Sequence, residues 1–93
     1  MDIIPLIPKE EVTKYKFVTY DVLKTDEERK ERFQKLEKAM LLGNGYKAKV
    51  KIIFETVEGT RKIETTVWEA SDDQLMIKSD VMIPIHAVVD VEL

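Results

Sequence analysis

Cysteine is missing from this 93-residue chain altogether, which removes disulfide frameworks, thiolate metal sites and cysteine nucleophiles at once. Histidine occurs once, at His86, so neither a multi-histidine metal cluster nor a triad needing a second histidine can be built. No apolar run approaches the roughly 18 residues of a membrane-crossing helix. The opening MDIIPLIP has no basic flank and is too short for a signal-peptide core, so a cytoplasmic location is expected, away from the membrane. Positive charge is not in excess either: 15 Lys and Arg stand against 18 Asp and Glu, for a net charge of −3. Serine elbows, phosphate loops and paired carboxylates in distinct environments are also missing. The expectation is a protein that is not an enzyme and uses neither cofactor nor metal.

What is present points to one small domain. Hydrophobic residues make up 44% and charged residues 35% of the chain, the balance of an ordinary globular protein rather than a disordered one. The charge is unevenly placed. Nine basic and nine acidic residues precede Lys47, whereas six basic face nine acidic from Lys47 on, so the second half carries the whole −3. Phosphate backbones are usually met by clustered Lys and Arg, which this half does not favour.

Residues 1–24 read as an extended arm. Pro5 and Pro8 withhold backbone donors and extend their predecessors. Pro8 followed by KEEV is suited to open one helical turn, and Tyr15–Leu23, rich in aromatic and β-branched residues, reads as a strand with apolar bulk on both faces. Such a strand would cover an open sheet edge, its own or a neighbour's. Residues 25–93 form the domain proper. Thr25 and Glu28 have the spacing of a capping box, which starts a helix over 25–42. Phe33, Leu36 and Met40, with Ala39 beside them, make its apolar stripe, and Gly43 is expected to end it. Gly43-Asn44-Gly45 is then a helix stop and turn. A dinucleotide-type glycine loop would follow a strand and open a helix, the reverse of this order.

From residue 47 to 93 the chain reads as five short strands, 47–56, 60–70, 74–78, 81–84 and 88–93, in a strongly bent antiparallel barrel. Glu58-Gly59 as a two-residue turn would pair Val57 with Thr60. Phe54, Ile52 and Val50 would then face Ile63, Thr65 and Val67 on one side. Glu55 would face Lys62, Ile53 would face Glu64, Lys51 would face Thr66, and Lys49 would face Trp68 on the other. Ser71-Asp72-Asp73 and Ser79-Asp80 are turn chemistry, His86-Ala87 links the last two strands, and Pro84 marks an edge or a strand end.

The VEGTR turn, the run Asp73-Gln74-Leu75-Met76-Ile77 and the close Ile83-Pro84-Ile85-His86-Ala87-Val88 resemble small SH3-like barrels of the Sm-like type. That resemblance covers about half the chain and implies self-assembly through edge strands and binding of single-stranded RNA, with Gln74 and His86 facing it. The chain departs from the pattern at Ile85, where those proteins carry lysine, and at Thr65-Thr66, where they carry a glycine. The base-stacking aromatic has no clear counterpart. LLGNGYKAKVKIIFET, ETTVWEA and IPIHAVVDVEL are also similar to a family of small bacterial proteins without an assigned function.

Six residues stand out as candidate contacts to nucleic acid or a partner: Lys47, Lys49, Lys51, Trp68, Gln74 and His86. The alternating lysines join positive charge to an aromatic platform, as single-strand binders do. The plainer alternative is a solvated face on which lysine stems shield Trp68, or a Trp68 covered by the helix. His86 at a strand-to-turn corner also reads as a hydrogen-bonded structural residue, and Asp72-Asp73 as turn formers without calcium-loop spacing. The expected function is an interaction or assembly module that self-associates, or binds a protein partner, through strand edges. The alternative is a single-stranded RNA or DNA binder.

Overall fold

Thr25 starts the single long helix as its spacing requires. Its hydroxyl accepts from Glu28 N at 3.1 Å while its own N–H donates to Glu28 Oε1 at 3.3 Å, which closes the capping box. The computed structural model describes residues 3–93, so Met1 and Asp2, the tip of the expected arm, lie outside the described residues. Helix α1 spans Asp26–Tyr46 and runs through both Gly43 and Gly45 before Lys47 caps it in the left-handed region at φ 54°. The expected stop at Gly43 is therefore wrong. Gly43 is buried, and a Cβ there would lie 2.2 Å from Val67 O. This glycine lets the helix touch the sheet rather than end. Leu36 and Ala39 of the expected stripe are buried and Met40 packs against the core, but Arg32 takes the inward place expected of Phe33. Arg32, Leu36, Ala39 and Gly43 face inward, while Phe33 is 44% exposed.

Six strands follow: β1 Val50–Thr56, β2 Gly59–Thr65, β3 Val67–Ala70, β4 Gln74–Ile77, β5 Val81–Pro84 and β6 Val88–Glu92. They form two three-stranded sheets, ordered β2-β1-β6 and β3-β4-β5, and do not close into the expected five-stranded barrel. The expected second strand is cut at Thr66, where the chain leaves one sheet for the other. A 3-10 turn, Ile85–Ala87, makes the return crossing between β5 and β6. Helix α1 packs on β3 of one sheet and β6 of the other.

The first hairpin keeps the expected faces but not the expected partners. Ile52 lies opposite Ile63, Phe54 opposite Arg61 and Val50 opposite Thr65, because Val57-Glu58 forms the turn and Thr56 pairs with Gly59. The turn chemistry explains the shift of two. Glu58 would have to adopt a positive φ in the expected turn, whereas here Gly59 alone does, at 118°. The Thr56 hydroxyl seals the arrangement, donating to Gly59 O and accepting from Glu58 N. A two-residue shift preserves the parity of a strand, so Val50, Ile52, Phe54, Ile63 and Thr65 remain buried together. Ser79 and Asp80 return the chain with φ of 74° and 60°, the pairing of positive angles that a tight primed turn demands.

The N-terminal segment is part of the domain rather than a free limb. Ile7 N donates to Lys62 O and Lys62 N to Pro5 O, so the chain lies along the outer edge of β2. The turn after Pro8 forms as a 3-10 helix, Lys9–Lys14. It touches both β2 and β5, and its Val12 is fully buried in the core. This plug occupies the space between those two strands. The strand expected over Tyr15–Leu23 is reduced to one bridge, Phe17 to Thr56, because the segment turns away to meet His86 and Arg32 instead.

Candidate binding cleft

The end of α1 and the crossing from β2 to β3 leave a cleft of about 480 Å³ between them. Gly43 and Asn44 of the last helical turn form one wall, with Lys47 at the cap and Lys49 just ahead of β1. Thr66 at the sheet crossing, Trp68 of β3 and Lys78 just after β4 form the other. The two walls stay in contact through Gly43, and Lys78 N donates to Thr66 O at 3.0 Å, which fixes where Lys78 leaves the sheet. Trp68 is 40% exposed, so it is neither roofed by the helix nor fully bare. Its ring is an open platform at the cleft.

Lys47, Lys49 and Lys78 place three ammonium-bearing side chains around this platform, and no carboxylate lines the cleft among the described residues. The local charge is thus opposite in sign to that of the whole protein. The carbonyls of Leu42 and Gly43 are taken by Ala48 N and Lys47 N, which blunts the negative end of the helix dipole beside the lysines. A site of this size and lining can hold a flat ring against Trp68 and an anion between the lysines.

The structure divides the six candidates. Lys47, Lys49 and Trp68 meet at the cleft. Lys51 does not, because it lies opposite Glu64 on one side and Glu92 on the other. Gln74 opens β4 opposite Pro84 and lines a separate small hollow with Met76 and Met82. His86 sits in the 3-10 turn with Nε2 2.7 Å from Val18 O, and its own carbonyl accepts from Val22 N at 3.0 Å. It fastens the N-terminal segment to the sheet crossing, which is the structural alternative for this residue. Lys78, Asn44 and Thr66 escaped sequence reasoning. A signal for Lys78 existed, since a hairpin turning at Ser71-Asp72-Asp73 brings the residues around 66 and 78 together.

The other charged cluster is an internal tie. Arg32 is buried and donates from Nη1 and Nη2 to both oxygens of Asp21, at 3.0 and 2.8 Å, and from Nη1 to Val88 O at 3.0 Å. Burial alone would push the Asp21 carboxyl up. The Arg32 bonds, the Leu23 N–H and the charges of Arg32 and Arg29 outweigh that and hold it below the usual carboxylate range. Among the described residues no group of three or more His, Asp or Glu is placed to hold a metal ion. No described helix is long and apolar enough to cross a membrane. Set against protein-family models, curated proteins and solved structures, the chain matches none of them.

Proposed function

We propose that this chain is a non-enzymatic binding module whose working surface is the cleft between the end of α1 and β3, and that its ligand is an anion carrying an aromatic ring. One observation carries the reading: three lysines and the single tryptophan border one cleft whose described lining contains no carboxylate. Charge draws the ligand in and stacking orients it. The test uses the fluorescent aromatic anion anilinonaphthalene sulfonate, with energy transfer from Trp68 as the signal. Saturable binding that weakens with salt, and is lost in Lys49→Glu and Lys78→Glu variants that retain their far-UV circular dichroism, supports the cleft. Binding indifferent to both substitutions sinks it.

Self-association through strand edges is a second reading, supported by β5. It is the outer strand of the β3-β4-β5 sheet, touched by the Lys9–Lys14 turn, and Met82 on it is still 44% exposed opposite Met76. Sedimentation velocity should then show assemblies that Met82→Lys disperses, and a strict monomer at tens of micromolar removes the idea. The SH3-like relation is a finer reading of the fold. It is supported by the two sheets sharing β2 and β3 as consecutive halves of one interrupted run, with a 3-10 turn before the last strand.

A further inference from the structure

The cleft allows the ligand class to be narrowed. Lys47 and Lys49 reach it from the chain entering β1, and Lys78 from the far side, beyond Thr66. Positive charge therefore converges on Trp68 from two directions rather than running past it in a line. The field is also short. Lys51, the next lysine along β1, is matched by Glu64 and Glu92 across the strands, Glu69 follows Trp68 directly, and the whole chain carries −3. A single-stranded polymer needs a basic groove that tracks several successive phosphates, and these acidic neighbours interrupt one on either side of the cleft. A monomer needs only one ring platform and one anion clamp. The volume of about 480 Å³ falls inside the roughly 300–1,000 Å³ of small-molecule sites.

Lys47 adds an independent observation. It adopts a left-handed backbone conformation at φ 54°, a position that glycine or asparagine normally fills. Two glycines lie just upstream in α1, yet the chain keeps a lysine where the backbone disfavours one, at the mouth of the cleft. Local strain of this kind concentrates at binding sites.

From these features we infer that the cleft is a binding site for a free nucleoside phosphate, with the base stacked on Trp68 and the phosphate held by Lys47, Lys49 and Lys78. This rests on the proposed cleft and names its ligand class. Asn44 and Thr66 border the same space with hydrogen-bonding side chains available to the base or sugar edge.

Because Trp68 is the only tryptophan, quenching of intrinsic fluorescence reads the site directly, and equilibrium dialysis repeats the measurement without it. The probes are AMP, adenosine, inorganic phosphate and oligoadenylates of increasing length. AMP should quench saturably, with adenosine and phosphate each weaker by about tenfold or more, since each keeps only half of the contact. Lys49→Ala and Lys78→Ala replace exposed side chains and should each weaken AMP by about tenfold while leaving the circular dichroism unchanged. Oligoadenylates should gain no more than the statistical factor from their number of residues. The inference is overturned if AMP gives no saturable signal, or if the Lys49→Ala/Lys78→Ala double variant binds AMP as the parent does. Affinity climbing steeply with oligoadenylate length overturns it as well and makes the cleft a single-strand site. Failure with AMP alongside successful anilinonaphthalene sulfonate binding removes the nucleoside phosphate and keeps the cleft, whereas failure of both removes the cleft.

Discussion

Gly43 and Gly45 lie two residues apart in one helix and should respond to the same substitution with opposite signs. A Cβ at Gly43 meets the backbone oxygen of Val67 at 2.2 Å, an atom that cannot move aside, so Gly43→Ala should destabilise the protein by about 1–3 kcal/mol. Gly45 has nothing within 4 Å of its Cβ position and no positive φ. Gly45→Ala should stabilise by about 0.5–1 kcal/mol through the cost of ordering glycine in a helix. Urea unfolding of the two variants checks both signs. Lys47 offers a different contrast. Lys47→Gly relieves a left-handed lysine and should raise stability by about 1 kcal/mol, yet it should weaken anion binding at the cleft. A variant that gains stability and keeps full binding would remove Lys47 from the site. His86→Ala should lose about 1 kcal/mol with the Val18 hydrogen bond and leave ligand binding unchanged.

At the scale of elements, α1 is held to the sheets by charge as well as by apolar contact. Only Leu36 and Ala39 of its buried stripe are apolar side chains, and Arg32 fills the position where Phe33 had been expected. Truncating it in Arg32→Ala would take two hydrogen bonds from Asp21 and one from the Val88 carbonyl, leaving Asp21 only the Leu23 N–H and the more distant Arg29, for an expected loss of about 2–4 kcal/mol. The acid response follows from the lowered Asp21 carboxyl. Its contribution is fully present above the ordinary carboxylate value and is lost as pH falls through the lower folded value. Asp21→Asn should therefore reduce stability at neutral pH and flatten the acid limb of a stability–pH curve. An unchanged limb would mean that the tie to Arg32 is not what the acid titrates. Thr65 lies on the inner face of β2 with its hydroxyl unpartnered. Nothing in the structure explains that hydroxyl.

Across the whole molecule, the N-terminal segment decides the shape. The chain's radius of gyration of 12.2 Å matches the ~12 Å expected of a compact chain of this length, and no arm projects among the described residues. Val12 plugs the core between β2 and β5, and residues 5–7 occupy the outer edge of β2. Val12→Ala should cost about 2 kcal/mol as a buried cavity. Deleting residues 1–14 should do more than destabilise, because it frees the Lys62 N–H and C=O on a strand edge that is otherwise covered. Concentration-dependent association of the deletion variant, compared with the full chain by light scattering, is the expected result.

The sequence by itself determined what depends on neighbours in the chain. The Thr25-Glu28 cap, the Ser71–Asp73 and Ser79-Asp80 turns, the alternation that puts Val50, Ile52 and Phe54 on one face, and the turn after Pro8 are all local chemistry, and all are found where their residues place them. Hairpin register was only half legible, since alternation fixes the face of a residue but not which residue two steps along stands opposite it. The rest was decided by tertiary structure. Gly43 reads as a helix stop until Val67 is known to press against it, and nothing local marks Arg32 as buried until Asp21 folds over it. The closed barrel gives way to two three-stranded sheets with Val12 of the N-terminal segment buried in their core, a long-range packing that alternation cannot foresee. The cleft belongs to both levels. Lys47, Lys49 and Trp68 are visible as a pattern on paper, but Lys78 joins them, and Lys51 leaves them, only when two sheets and a helix end meet at Thr66.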